Sequence, residues 1–418
     1  MVSNMDDNKM QTDDAGREKI VIKVGGSCLV NGKTLKRVNQ QIIQLKKKSI
    51  TPVIVVSALK GLTDSLLDMA VNGQLQPNPR IMDQILSEGE QMVVRIMQST
   101  LEGAGLKIKS ILLSDPDFPI ITDDRHARAT ILLEETESKI REVLTPLLNE
   151  GIIPIVPGFV GKTLKGHITT IGRGGSDATA IAIGKALKVK EVILLKDVPG
   201  ILSGDPRLVN SPERLSRITV EECLDLAFKG GEVVCPFSLI YKPKDVNLRI
   251  TNYDSEDLLQ GGTTIIGEIE HQIKIYVKEK MAAVTVIGKR MNELPGLLTK
   301  LSGVLSSEGI NIYSVLTSNF SICFYVDQNR RQKALNLLHD IVLENDELSS
   351  VISLPNISII TVIGETLAAQ PGILGKIGMA LAKEDINLID VSTTMEEVNL
   401  FVDQKEVEKA ERILEELF

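Results

Sequence analysis

The chain has 418 residues, 47 Lys plus Arg against 55 Asp plus Glu and a net charge of −8; the length predicts about two to four domains, and the acidic balance gives no general attraction to phosphate backbones. Nucleic acid is therefore not an expected partner, nor is a membrane, since no apolar run approaches the ~18 residues of a span. Hydrophobic residues at 43% and charged residues at 24% exclude global disorder, and aromatic residues at 3% leave few stacking platforms for bases or sugars.

Residues 1–18, MVSNMDDNKMQTDDAGRE, hold five acids against two bases and no apolar segment. They match neither a secretory signal nor a transit peptide, and a disordered tail is expected there. Cys28, Cys223, Cys235 and Cys323 are widely separated and show no CxxC spacing. Neither a zinc site nor a disulfide framework is expected, and a reducing cytoplasm fits that usage.

From Lys19, short Val/Ile-rich runs alternate with helix-length amphipathic segments: IVIKV, TPVIVVSAL, IIPIVPGFV, EVILLKDV and VNLRI. This alternation predicts an α/β domain, an open and mainly parallel sheet with helices on both faces. IVIKV runs into Gly25-Gly26-Ser27 with Lys23 at the strand's carboxyl end. A glycine pair there can offer backbone N–H groups to phosphate oxygens, with the lysine neutralising charge; a tight turn beside a solvated lysine is the alternative. A P-loop is rejected, because five residues rather than four separate Gly26 from the GKT ending at Thr34.

Ser57 and Thr63 follow the next run in VVSALKGLTDSLL. Glu90 lies in the helical segment IMDQILSEGEQMVVRIMQSTL, where Ile81, Ile85, Met92, Ile96 and Leu101 fall at helical spacing. Taken singly, these polar residues read as caps, turns or a solvated face.

The most informative stretch is GHITTIGRGGSDATAIAIGKAL. It has the first two glycines of GxGxxG but Asp177 in place of the third, so a dinucleotide fingerprint is rejected. Ser176 and Asp177 stand where a helix begins, with Gly174 and Gly175 expected to present free amides to an anion. Arg173 beside them could pair bidentately with a carboxylate. Asp177 alone could be a helix cap, but Thr169, Thr170, Arg173, Ser176 and Asp177 together form a polar cluster that favours a site. Further on, KDVPGILSGDPRLV places Asp197, Asp205 and Arg207 in a Gly/Pro-rich loop after a strand, where open parallel sheets bind nucleotides.

The composition breaks around Gly261, Gly262 and Thr263, and the catalytic domain is expected to span 19–267. Beyond it, the segment starting at Val284 is repeated without a gap from Ile360, an offset of 76 residues. Such a repeat predicts two copies of one supersecondary unit. Each reads strand, Pro-Gly turn, helix, strand, strand, helix, a ferredoxin-like βαββαβ arrangement with Leu297, Leu301, Val304 and Leu305 as the first helix's apolar stripe. The expected spans are 268–350 and 351–418. The turns are Pro295-Gly296 and Pro371-Gly372, and they can open helices against a small ligand or serve as structure only.

These motifs together resemble the aspartate kinases of the amino acid kinase family. IVIKVGGSCL resembles that family's K-F-G-G-T-S strand and loop, with Val24 in place of Phe. TTIGRGGSDATA is similar to T-T-L-G-R-G-G-S-D, and KDVPGILSGDPRLV to T-D-V-x-G-x-x-T-x-D-P-R. The repeats resemble the paired ACT modules that such kinases carry as amino-acid sensors. The resemblance implies transfer of the ATP γ-phosphoryl, with Mg²⁺, to the β-carboxylate of L-aspartate, at the entry to lysine, threonine and methionine synthesis.

In that frame Lys23 and Asp177 are the catalytic pair, and Ser57, Thr63, Glu90, Arg173 and Ser176 bind aspartate. Arg173 would take the α-carboxylate, and Glu90 would lie near the amino group. Gly25, Gly26, Ser27, Lys196, Asp197, Asp205 and Arg207 would line the nucleotide. Pro295, Gly296, Asn311, Pro371, Gly372 and Asn387 match the effector-site pattern, with lysine or threonine as effector and a homodimer or larger assembly through the ACT modules.

One segment departs. GGEVVCPFSL resembles G-A-K-V-L-H-P but carries Glu232 at a nucleotide-contacting Lys and Cys235 at a His, and an acid there would repel triphosphate. Lys196, standing where the family has Thr, is expected to supply the displaced positive charge. Two alternatives follow: a kinase of the same fold for another amino-acid carboxylate, or an amino-acid sensor of weak turnover.

Overall fold

A computed structural model describes residues 18–71, 78–231, 234–268, 273–364, 367, 372–394 and 397–418. Residues 1–17 of the expected tail, together with Glu232 and Pro371, lie outside the described residues; Glu18 already opens the first strand. The chain divides into two compact units, Met1–Ile269 and Glu270–Phe418.

The first unit contains strands β1 (Glu18–Val24), β2 (Ile50–Val56), β3 (Ile108–Ser110), β4 (Ile121–Thr122), β5 (Ile153–Pro157), β6 (Val160–Thr163), β7 (Ile168–Thr170), β8 (Glu191–Lys196), β9 (Arg217–Thr219), β10 (Asn247–Asn252) and β11 (Thr263–Ile266). Its helices are α1 (Gly32–Lys47), α2 (Leu62–Val71), α3 (Pro79–Glu102), α4 (Leu133–Asn149), α5 (Gly175–Leu187), α6 (Val220–Phe228) and α7 (Pro236–Leu239). The main sheet runs β3-β5-β2-β1-β8-β10-β11-β9 and is parallel except between β10 and β11, while β4, β6 and β7 form a small separate sheet.

Side chains alternate across each strand, so β1 feeds two cores. Val21 joins the core built with Ile140, Leu144 and Leu148 of α4 and Ile181 and Ile183 of α5. Ile20, Ile22 and Val24 join the other, with Val38 and Ile42 of α1 and Val93, Met97 and Leu101 of α3. This gives a three-layer α/β unit with helices on both faces. Chain order turns back between β1 and β8, so the loops after those two strands diverge and leave a crevice at their carboxyl ends, where such sheets place ligands.

α3 starts two residues before the segment read as helical, with Asn78 accepting from the Arg80 amide at 3.0 Å and Pro79 at the first position. The stripe read from its periodicity is the wrong face, however. Ile81 and Met92 are exposed, and the buried positions are Met82, Leu86, Val93, Val94 and Met97 together with Leu101.

The second unit holds β12 (Lys274–Gly288), α8 (Leu297–Ser307), β13 (Ser314–Thr317), β14 (Ser321–Asp327), α9 (Arg331–Leu343), β15 (Leu348–Ile363), α10 (Ile373–Ala382), β16 (Leu388–Thr393), β17 (Glu397–Asp403) and α11 (Val407–Leu417). Its antiparallel sheet runs β13-β14-β12-β15-β17-β16. The two long strands are shared. Residues 283–288 of β12 pair with the start of β15 in the first lobe, and Lys274–Lys278 pair with Ile359–Ile363 in the second. The second lobe thus takes its fourth strand from chain that precedes the first, and the 350/351 division falls inside β15. Both long strands are bent at left-handed residues, Lys280 at φ 59 and Asn356 at φ 58. Tyr325 and Phe401, one from each lobe, meet with ring centroids 4.0 Å apart, and the Tyr325 hydroxyl donates to Asp390.

Candidate active site

Strand register decides which side chains meet. In the β1–β8 pair Lys23 stands opposite Leu194, and both Val21 and Leu194 belong to the core under α5. Lys23 lies two residues beyond Val21 and Lys196 two beyond Leu194, so both lysines project to that face. There the first turn of α5 supplies Asp177, 4% exposed. Lys23 Nζ lies 2.7 Å from Asp177 Oδ1 and Lys196 Nζ 3.4 Å from Oδ2. Burial pushes the Asp177 pKa up, but Lys196 and Lys23 outweigh it and hold the carboxyl at about 2. Two ammonium groups thus share one buried carboxylate, and Asp197 follows Lys196 at the end of β8.

Asp177 is not a helix cap. The residue before α5 is Gly174, left-handed at φ 78 and ψ 3, with no side-chain cap. The Gly175 amide, expected to be open, is bound to Gly172 O at 3.0 Å. Among the described residues the amides of Gly174, Ser176 and Asp177 have no backbone acceptor and are open donors at this helix end. Arg173 is exposed, and its guanidinium has no partner among the described residues. Its carbonyl accepts from Cys235 Sγ at 3.2 Å.

Gly25 and Gly26 are required by close packing. A Cβ on Gly25 would stand 2.9 Å from Leu195 O, and one on Gly26 would stand 3.0 Å from Ala58 O. Ser27 is half-buried in the turn that follows. Ser57 and Thr63 are half-buried after β2 and in α2, their hydroxyls without partners among the described residues. Glu90 of α3 faces the same loop, 2% exposed, with Oε1 accepting from the Ala58 amide at 3.1 Å. Its Oε2 is buried without a partner, and burial lifts the carboxyl to about 7.

The residues expected along a nucleotide separate. Lys196 joins Asp177, whereas Arg207 binds Asp205 two residues away, Nη2 to Oδ2 at 2.8 Å, on an exposed turn. Asp197 is exposed, and its carbonyl accepts from Asn252 at 3.2 Å. In the second unit, Gly296 at φ 79 and Gly372 at φ 82 precede α8 and α10 with open space where a Cβ would be. Pro295 is exposed beside Gly296, whereas Asn311 and Asn387, also exposed, follow the far ends of α8 and α10. Asn319 ties the first of these loops to the β13–β14 hairpin, its carbonyl accepting from the Met291 amide at 2.9 Å.

Sequence reasoning missed Asp83. It is fully buried in α3, and its carboxylate gathers Thr170 Oγ1 at 2.6 Å, His126 Nδ1 at 2.6 Å and the Ala127 amide at 3.1 Å. The available signal was an acid seven residues before Glu90, two helical turns and so on the same face. Thr169 is framework, its hydroxyl 2.6 Å from that of Thr122.

The amino acid kinase family model matches residues 18–252, and an ACT domain model matches residues 284–341 and 360–418. The chain belongs to the amino acid kinase family. Within it, aspartate kinase of Pseudomonas putida is 31% identical over 96% of this chain and 97% of its own. Aspartokinase of Bacillus sp. strain MGA3 is likewise 31% identical, over 96% of this chain and 97% of its own. The crystal structure of aspartate kinase from Synechocystis superposes with a TM-score of 0.75 at 26% identity, covering 95% of this chain and 68% of that one. E. coli aspartokinase III, crystallised with aspartate and ADP, shares the fold at 22% identity and a TM-score of 0.54, covering 96% of this chain and all of that one. This member of the amino acid kinase family is a kinase of the aspartate kinase type with two ACT modules.

Proposed function

We propose that the chain transfers the γ-phosphoryl of ATP to the β-carboxylate of L-aspartate, giving 4-phospho-L-aspartate. The observation that carries this reading is the Lys23–Asp177–Lys196 cluster at the strand ends, where two lysines share one buried carboxylate. Phosphoryl transfer draws most of its acceleration from in-line positioning and neutralisation of charge on the equatorial oxygens. Lys23 and Lys196 would neutralise that charge while Asp177 fixes their ammonium groups. The open amides of Ser176 and Asp177 would receive phosphate oxygens, together with those of Gly26 and Ser27, whereas the Gly25 amide is held by Leu195 O at 3.2 Å and the glycine serves the close packing of the turn. Mg²⁺, when bound with ATP, supplies further neutralisation. A carboxylate nucleophile needs no general base.

Aspartate recognition would come from Arg173 on the α-carboxylate and Glu90 on the α-ammonium, with Ser57, Thr63 and Ser176 completing the site. The unpaired Glu90 Oε2, buried beside the loop after β2, supports this, as do relatives named aspartate kinase across nearly the whole chain. The product would feed lysine, threonine and methionine synthesis in the cytoplasm. Lysine or threonine would inhibit through the loops at Gly296, Asn311, Gly372 and Asn387, in a homodimer or larger assembly. A kinase assay unmoved by either amino acid, alone or together, rejects that regulation.

The test of the activity is acyl phosphate trapped as hydroxamate, with aspartate, acetylglutamate and no acceptor compared side by side. Product is expected with aspartate alone. A second reading, an amino-acid sensor of weak turnover, is motivated by Glu232 and Cys235; amino-acid binding with no hydroxamate from any acceptor would select it.

A further inference from the structure

We infer that Asp83 is a positioning residue that sets the spacing between the two groups recognising the amino-acid substrate. This rests on the roles proposed above for Arg173 and Glu90. Asp83 and Glu90 stand two turns apart on α3, roughly 10 Å along one rigid helix. At one end Glu90 is anchored to Ala58. At the other, Asp83 accepts from Thr170, the last residue of β7, and from Ala127, and it binds His126.

Thr170 leads directly into Gly172 and Arg173. The loop carrying His126 and Ala127 packs against that segment: the Ala129 amide donates to Thr170 O at 2.9 Å, and a Cβ on Gly172 would stand 3.4 Å from Ala127 O. Ala127 itself is left-handed at φ 66, a conformation that a residue with a Cβ keeps only when its surroundings hold it. One buried carboxylate therefore clamps both the 123–130 loop and the strand end that delivers Arg173, and ties them to the helix that carries Glu90. A buried acid with three donors is costly to remove, because each donor is left without an acceptor.

The experiment compares Asp83→Ala and Asp83→Asn with wild type, in the full chain, by the KM for aspartate, the KM for ATP, kcat, and hydrogen exchange of peptides covering 123–130 and 168–174. In Asp83→Ala the KM for aspartate is expected to rise at least about tenfold, with the KM for ATP within about twofold, since misplacing a recognition group by an ångström costs binding geometry without touching the phosphate site. Exchange in both peptides should accelerate. Asp83→Asn keeps an acceptor for Thr170 and should rescue most of both effects.

An unchanged KM for aspartate, an equal rise in both KM values, or unchanged exchange in the two peptides overturns the inference. If Asp83→Ala does not fold, Thr170→Val, which removes one of the donors and leaves the acid in place, takes its part, and a Thr170→Val protein indistinguishable from wild type in the KM for aspartate and in exchange overturns it as well. Wild-type protein that makes no hydroxamate from aspartate sinks the proposed function by itself, and the exchange measurement, which needs no substrate, still decides the clamp.

Discussion

Gly174 lies so close to Cys235 that a Cβ added to the glycine would stand 2.3 Å from the Cys235 Cβ and 2.6 Å from its sulfur. The same glycine is left-handed at φ 78, so space and backbone conformation both forbid a side chain there. Gly174→Ala should lower Tm by at least about 4 °C, from a left-handed penalty of about 1–2 kcal/mol and the overlap with Cys235. It should also lower kcat by shifting the first turn of α5. Adding Cys235→Gly removes the overlap but not the left-handed cost, so only part of the Tm should return. Thermal unfolding followed by circular dichroism reads both, and full recovery in the double variant would show that the φ term is negligible.

Asp177→Asn should leave two lysines sharing a neutral amide. The expected loss in kcat is about a hundredfold or more, as for removal of an electrostatic element from a transition-state site. The same change should alter acid stability. The folded carboxyl sits at about 2 against an ordinary 3.8, so its stabilisation is complete above 3.8 and disappears as pH falls toward 2. Acid titration of both proteins should therefore show wild type losing stability in that window and the variant lacking that component.

Lys196→Thr should raise the KM for ATP severalfold and lower kcat while leaving the KM for aspartate near wild type, because one of two positive charges at the strand ends is gone. Steady-state kinetics with each substrate varied decides it. If neither ATP parameter moves, Lys196 has no part in holding the nucleotide.

Glu90 must be ionised to receive an ammonium group, and burial lifts it to about 7. kcat/KM for aspartate, which reports the free enzyme, should fall as pH drops below about 7. Glu90→Gln should abolish that acidic limb at a uniformly lower value. Folding runs the other way: a raised carboxyl pKa means the folded protein binds the proton more tightly, so this residue favours folding more as pH falls from 7 toward the ordinary 4.5. A decline in activity below pH 7 therefore cannot be assigned to unfolding at Glu90.

The glycine loop, Arg173, Ser176, Asp177 and the repeat were legible because each is a local pattern with a local cause. Lys196 on Asp177 follows from strand alternation only once β1 and β8 are known to be neighbours, which spacing along the chain does not state. The buried face of α3 is not legible for a related reason: Ile81, Ile85, Met92 and Ile96 form an apolar stripe as regular as Met82, Leu86, Val93 and Met97, and periodicity cannot choose between adjacent stripes. Asp83 is hidden with it, since a single acid in a helix reads as solvated until its face is known to be buried. The repeat implies two consecutive lobes because the strand that completes the second, Lys274–Lys278, precedes the start of the repeat.

That borrowed strand limits how the second unit can be cut. A fragment beginning at 351 would retain three strands of its lobe and expose the β15 edge where Lys274–Lys278 belongs, an open row of backbone donors and acceptors that invites pairing with another copy. A fragment ending at 350 would leave the first lobe with only the first three residues of β15, Leu348–Ser350, to serve as its fourth strand. The duplicated segment thus did not yield two independent folding units; each lobe is completed by chain from outside its own repeat, and loss of either is expected to unfold both.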